Sequence, residues 1–334
     1  MKLSWLAVAA APVVAAVNMT ITQKNATIAP SPLPPPGSSS QGEEIVRQFS
    51  KIDRTTKWKL VEEVPFEGDL FEPEGIVRMG DNRYFVSAGE YTVRTQKYNQ
   101  TTNGTDRTTG EGFGHMIVFD GKGRRIADAT ISRPGSSEYH NGGIDYDGTY
   151  LWATLSQYRP NSTATLVRMD PATLEPEEVL RVHDHQGGAV HDWSSGVVLT
   201  LNWGSREASL WDLGARFPGP PAFAAAPRAR VRNPSHYTDY QDCKYLGHSQ
   251  RYGFRPVMLC GGITGIYDTT IGGLAVVDML TMAPLMEVPL TLTSAQGNLV
   301  TKNPVDVAVV GGRLRFFFLP DEHNSALYVY EPVI

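Results

Sequence analysis

Gly142-Gly143-Ile144-Asp145-Tyr146-Asp147-Gly148-Thr149-Tyr150-Leu151-Trp152-Ala153 reads as a β-hairpin. A Gly pair opens a short run, Asp147-Gly148 turns the chain, and an apolar, aromatic run returns. Asp-Gly suits the tight turns that join antiparallel strands, and aromatic and β-branched residues fit a pleated, half-buried surface. The same plan occurs four more times. Glu74 to Val77 turns at Gly80-Asp81-Asn82 into Tyr84 to Ser87, and Gly187 to Val190 turns at Ser194-Ser195-Gly196 into Val197 to Leu201. Asp242 to Leu246 passes a longer turn into Pro256 to Cys260, and Val305 to Val310 turns at Gly311-Gly312 into Leu314 to Leu319.

Outward from each hairpin lies a third strand that often ends in an acidic residue. These are His115–Asp120, Thr165–Asp170, Ala208–Asp212, Leu274–Asp278 and Ala326–Glu331. A fourth follows in all copies but the last, which stops at Ile334. Trp58-Lys-Leu-Val-Glu-Glu-Val-Pro-Phe66 has strand composition and precedes the first copy, so it can supply the missing strand. Such closure removes the exposed sheet edges of an open array. Copies begin 45 to 68 residues apart, counted from Gly75, Gly143, Gly188, Cys243 and Val305. The expected fold is therefore all-β, a five-bladed β-propeller over residues 57–334 closed by an N-terminal strand, with a β-sandwich as the rival.

Lys2 and the apolar run Leu3 to Ala16 predict a signal peptide over residues 1–17. That run is shorter than the roughly 20 apolar residues of a membrane span, so no membrane association is expected. Residues 18–56 contain Pro-Ser-Pro-Leu-Pro-Pro-Pro and a Gly/Ser tract, which predict a disordered linker with at most a short helix over residues 43–52. Sequons at Asn18, Asn25, Asn99, Asn103 and Asn161 predict a secreted, extracellular glycoprotein. Cys243 and Cys260 lie symmetrically about the Ser249–Gly253 turn, and hairpin folding brings them opposite each other, as a disulfide needs. The formal net charge of −5 with no basic stripe argues against nucleic acid as a partner. A monomer is expected.

Tyr139-His-Asn-Gly-Gly-Ile-Asp-Tyr-Asp-Gly148, Tyr158-Arg-Pro-Asn161, Asp184-His-Gln-Gly-Gly188 and Asn202-Trp-Gly-Ser-Arg206 resemble a family of secreted propeller-like proteins of fungi and bacteria, catalogued as a domain of unknown function. The resemblance covers roughly Trp58 to Glu331. It implies a propeller and a secreted location, and it brings no activity or catalytic residue.

In a four-stranded blade, the turn entering the first strand and the turn leaving the second share one face, around the central channel. The entering turns carry Glu72, Glu74, His140, Asn141, His185, Gln186, Tyr240, Gln241, Asp242 and Asn303. The leaving turns carry Glu90, Tyr91, Gln157, Tyr158, Arg159, Trp203, Arg206, Asp321, Glu322 and His323. The opposite face receives plain Gly, Asp and Ser turns. Three functions compete for the crowded face. Glu74, Glu90, His140, Tyr158, Arg159, His185, Trp203, Arg206, Asp242 and His323 could bind a small molecule or carbohydrate, aromatic faces stacking on a ring and Arg gripping an acid. His140 and His185, at matched positions before Gly pairs, could hold a divalent metal for a hydrolase or lyase. Paired carboxylates could run a metal-free glycosidase. Nucleophile-elbow and phosphate-loop motifs do not occur in the sequence.

Overall fold

The computed structural model describes residues 17–213, 226–235 and 239–334. The expected signal peptide therefore lies outside the described residues, save Val17. Five antiparallel sheets form five blades around a channel. From the channel outward, blade 1 runs Glu72–Arg78, Arg83–Val93, Glu111–Asp120 and Arg125–Thr130. Blade 2 has an inner strand in two pieces, His140–Asn141 and Asp145–Tyr146, then Leu151–Ser156, Ala164–Met169 and Pro176–Val182. Blade 3 comprises Gly188–Asp192, Val197–Leu201, Glu207–Asp212 and Ala229–Arg232. Blade 4 comprises Asp239–Ser249, Arg255–Ile266, Thr269–Asp278 and Pro284–Leu290.

Blade 5 is completed from the other end of the chain. Val305–Val310, Arg313–Phe318 and Ala326–Val333 are joined by Lys57–Pro65, with Trp58 opposite Pro332 and Pro65 opposite Ala326. The ring thus closes as the strand composition of residues 58–66 anticipates. Apolar clusters fill the gaps between neighbouring blades, so each blade buries both faces. Cys243 and Cys260 are cross-strand partners within blade 4 and form the disulfide.

The expectation of a disordered linker over residues 18–56 is corrected. Asn18–Ile21 adds a fifth strand to blade 1, with Asn18 opposite Thr130 and Ile21 opposite Ala127. The Pro-rich stretch then crosses the lower face, where Tyr146 donates its hydroxyl to the Pro34 carbonyl at 3.0 Å. A helix follows over Gly37–Phe49, longer than the expected one and beginning earlier. Ile45, Val46, Phe49 and Ile52 are buried between blades 4 and 5, and Phe49 meets Phe316 with ring centroids 6.2 Å apart. Gly42 lets the helix press against blade 4, since a Cβ there would lie 1.5 Å from the Leu246 carbonyl oxygen. Gln48 bonds Leu314 and Gly312, while Glu43 accepts from the backbone of Gln250 at 3.0 Å, so the helix spans two lower turns. Low apolar content shows that the segment cannot build its own core, yet it can complete another.

The channel is narrow and chemically filled. Gly143 donates to the Gly187 carbonyl at 2.9 Å, so the inner strands of blades 2 and 3 touch. A Cβ on Gly142 would lie 2.3 Å from that same oxygen, which is why a Gly pair is required. Below this contact Lys244 donates to the Ile144 carbonyl at 2.6 Å and pairs with Asp242 at 2.5 Å. Asp242 also accepts from Ile76 N–H, Asp145 from Tyr245 N–H and Asp306 from Arg78 N–H. These bonds cross-link inner strands that share no sheet ladder.

Candidate functional site

The lower end of the channel holds a cavity of about 230 Å³ against Pro34 and Pro35 of the N-terminal crossing, lined also by Asp145, Lys244 and Asp306, and most of the residues singled out in the repeat lie at the upper mouth. A cleft of about 290 Å³ opens there, lined by Asp69, Phe71, Glu72, Glu90, Tyr91, Arg94, Tyr158, Glu322 and His323 among others. Beneath it sit two carboxyl groups and an imidazole. Ligand atoms of Glu72, Glu74 and His140 lie within 4.8 Å of one another. Glu72 and Glu74 are alternate residues of the innermost strand of blade 1, and His140 begins the inner strand of blade 2. Adjacent blades converge on the axis, and this convergence joins the three residues.

Burial raises the pKa of Glu74 well above the usual carboxylate range, and the nearby charges of Glu72, Glu322 and Asp242 add to the rise. Burial also raises Glu72, although the Tyr91 hydroxyl, which donates to its Oε2, opposes this. His140 is 4% exposed, and its Nδ1 has no hydrogen-bond partner. Burial holds its pKa well below the ordinary imidazole value, with neighbouring His185 contributing. His185 is lowered to about 4, chiefly by burial. Its Nδ1 lies 2.8 Å from the Gln157 carbonyl, which can only accept, so Nδ1 carries the proton and Nε2 is bare. Both rings are neutral at pH 7.

An aromatic wall continues from these rings. His140 and His185 centroids are 5.5 Å apart, His140 and Tyr158 4.9 Å, His185 and Trp203 4.8 Å, and Tyr158 and Trp203 5.3 Å. The Arg107 guanidinium lies 4.7 Å from the Trp203 ring centroid and 5.5 Å from that of Tyr158. Arg107 ends a small hairpin, Lys97–Thr102 and Thr105–Arg107, whose tip is held by Asn161 Nδ2 donating to Gly104 O at 2.6 Å.

The structure gathers Glu74, His140, Tyr158, His185 and Trp203 at the mouth, and it sets Glu90 and His323 in the cleft wall. Three other residues go elsewhere. Asp242 is 1% exposed and tied to Lys244, so it belongs to the channel network. Arg206 pairs with Asp239 and donates to Ser235 O, and Arg159 donates to Gln157 Oε1 at 2.9 Å. The other carboxylates are also engaged. Asp321 accepts from Ser294 and Asn298, Glu322 from Lys302, and Glu90 lies 3.2 Å from His115. Arg107, Arg94 and Lys302 are site groups that sequence reading missed. Arg94 and Arg107 belong to the segment between the second and third strands of blade 1, where the repeat pattern directs no side chain.

A protein-family model described as a family of unknown function (DUF6454) matches residues 33–334, including the helix and part of the Pro-rich crossing. No curated protein matches the chain. Many solved structures are similar, among them the following three. Kuenenia stuttgartiensis hydrazine synthase shares 10% identity and a TM-score of 0.37 over 75% of this chain and 57% of its own. A luciferin-regenerating enzyme shares 9% identity and a TM-score of 0.44 over 83% of this chain and 95% of its own. The Dos1 propeller shares 10% identity and a TM-score of 0.31 over 82% of this chain and 55% of its own. The chain thus spans little more than half of the first and third.

Proposed function

We propose, from the premise that this chain belongs to the DUF6454 family of unknown function and folds as a β-propeller, that it is an extracellular protein whose upper channel mouth binds a small hydroxylated ligand of about sugar size. One observation carries this reading. The 290 Å³ cleft sets the rings of Phe71, Tyr91 and Tyr158 beside Glu72, Glu90, Arg94 and Glu322. Aromatic faces cover the apolar side of a sugar ring while charged groups hold its hydroxyls, and a volume near 300 Å³ is the small end of ligand pockets. An extracellular setting is supported by the disulfide and by the exposure of all five sequon asparagines. Among the described residues no helix is long and apolar enough to cross a membrane.

A metal-free glycosidase is less favoured. Of the carboxyl groups that line the cleft, Asp69, Glu90 and Glu322 are already paired with His323, His115 and Lys302, and Glu74, which lies near Glu72, does not line it, whereas glycosidic cleavage needs two carboxyls free to flank the bond. The test is calorimetric titration with neutral sugars, polyols and small hydroxy acids. Saturable binding to a member of this panel is expected, weakened at least about tenfold by Tyr158→Ala, since ring contacts contribute about 1 kcal/mol beyond buried area. No binding, or binding indifferent to Tyr158→Ala, overturns the reading.

A further inference from the structure

We propose that Glu72, Glu74 and His140 bind a divalent transition-metal cation at the neck of the channel, with open coordination positions towards the cleft. The three ligand atoms already lie within 4.8 Å of one another, and they arrive from two blades rather than from one flexible loop. The second, independent observation is His140. Its ring is 4% exposed and its Nδ1 meets no hydrogen-bond partner. A buried polar atom left bare costs about 1–3 kcal/mol, and ligation through Nδ1 would remove that cost. Two carboxyl groups side by side in a buried place disfavour each other's ionisation, and a doubly charged cation reverses that penalty. The Tyr91 hydroxyl holds one Glu72 oxygen and so orients the carboxylate, the service an outer-sphere partner performs at metal centres.

The donor set narrows the metal. Calcium takes six to eight oxygens, more than two carboxylates and an imidazole supply. Zinc and manganese accept mixed nitrogen and oxygen donors, and a site with three protein ligands keeps a position for water or a ligand group. This set differs from the His140–His185 pair suggested by the repeat alignment. His185 commits its Nδ1 to the Gln157 carbonyl and stands behind His140, with 5.5 Å between ring centroids. Glu72 borders the cleft, so an ion bound there would face whatever occupies it. The inference goes beyond the ligand reading, because cation binding needs no organic ligand. Either can fail alone.

The test is calorimetry and thermal unfolding of the full-length protein, stripped with a chelator and titrated with Zn²⁺ alone and Mn²⁺ alone. One ion per chain is expected, with a raised melting temperature. Glu72→Gln and Glu74→Gln should each weaken binding at least about tenfold, while leaving the metal-free fold intact because the amide keeps the size and shape of the side chain. No binding by the native protein, or equal affinity in the native protein and both variants, overturns the proposal.

Discussion

Lys244→Met isolates the contribution of the channel network. Lys244 is almost wholly buried, and its side chain is 2% exposed against 0% for its partner Asp242. Burial pushes Asp242 up to about 7 and Asp145 up to about 8, and in each the Lys244 charge is the largest opposing influence. Asp306 is also raised by burial and also opposed chiefly by Lys244. One ammonium therefore steadies three buried carboxyl groups. Methionine keeps the length of the side chain and removes the charge. Removing one partner of a buried ion pair destabilises by about 3–5 kcal/mol, because the remaining charge is left unpaired. That figure applies near pH 8, where the folded protein would have to hold an unpaired carboxylate or take up a proton. Near pH 5 Asp145 and Asp242 are largely protonated in the folded state, so the loss should shrink to about 1–2 kcal/mol. Urea unfolding of native and variant protein at both pH values supplies the numbers. Lys244→Met/Asp242→Asn should recover most of the loss. A loss below about 1 kcal/mol near pH 8, or one independent of pH, would refute the network as the tie between blades.

Other expectations follow from the fold. Phe49→Ala should cost about 3–5 kcal/mol in chemical unfolding, as for other large-to-small changes at buried aromatics; a loss near zero would mean that the helix does not dock in solution. Breaking the disulfide by Cys243→Ser/Cys260→Ser should cost about 3 kcal/mol, given the 17-residue separation, measured as a fall in the urea midpoint. Stability of the native protein should fall by roughly 2 kcal/mol between about pH 6.5 and 8. In that window the unfolded chain has already released the protons of Asp145 and Asp242 while the folded chain still holds them, so rising pH favours unfolding. His115 acts in the same direction: burial lowers its pKa, but bonds to Asp128 and Glu90 outweigh that and raise it overall. Below about pH 6.5 the lowered His140 and His185 act in the opposite direction, because the unfolded chain takes up protons first, and the profile should flatten.

The blades were legible because each inner hairpin repeats one pattern of turn and apolar runs, and the orphan strand at residues 58–66 had a vacancy to fill. Order in residues 18–56 was not legible. Prolines and glycines report that a segment cannot fold alone, and they say nothing of a groove elsewhere that Phe49 and Ile45 complete. At the mouth, position in the repeat placed His140, His185, Tyr158 and Trp203 correctly, since strand geometry carries backbones to the axis. It could not direct long side chains. Arg206 turns to Asp239, Asp242 turns down to Lys244, and Arg107 reaches Trp203 from a hairpin whose fold the sequence did not reveal. The lower face looked plain in sequence because its chemistry is supplied from afar by the Pro-rich crossing and the helix.

The most direct test is anomalous X-ray scattering from a crystal of the full-length protein soaked in Mn²⁺. A single strong peak within bonding distance of Glu72, Glu74 and His140, facing the cleft, is the predicted result. A peak held by other residues, or a featureless channel mouth in a fully soaked crystal, would contradict it.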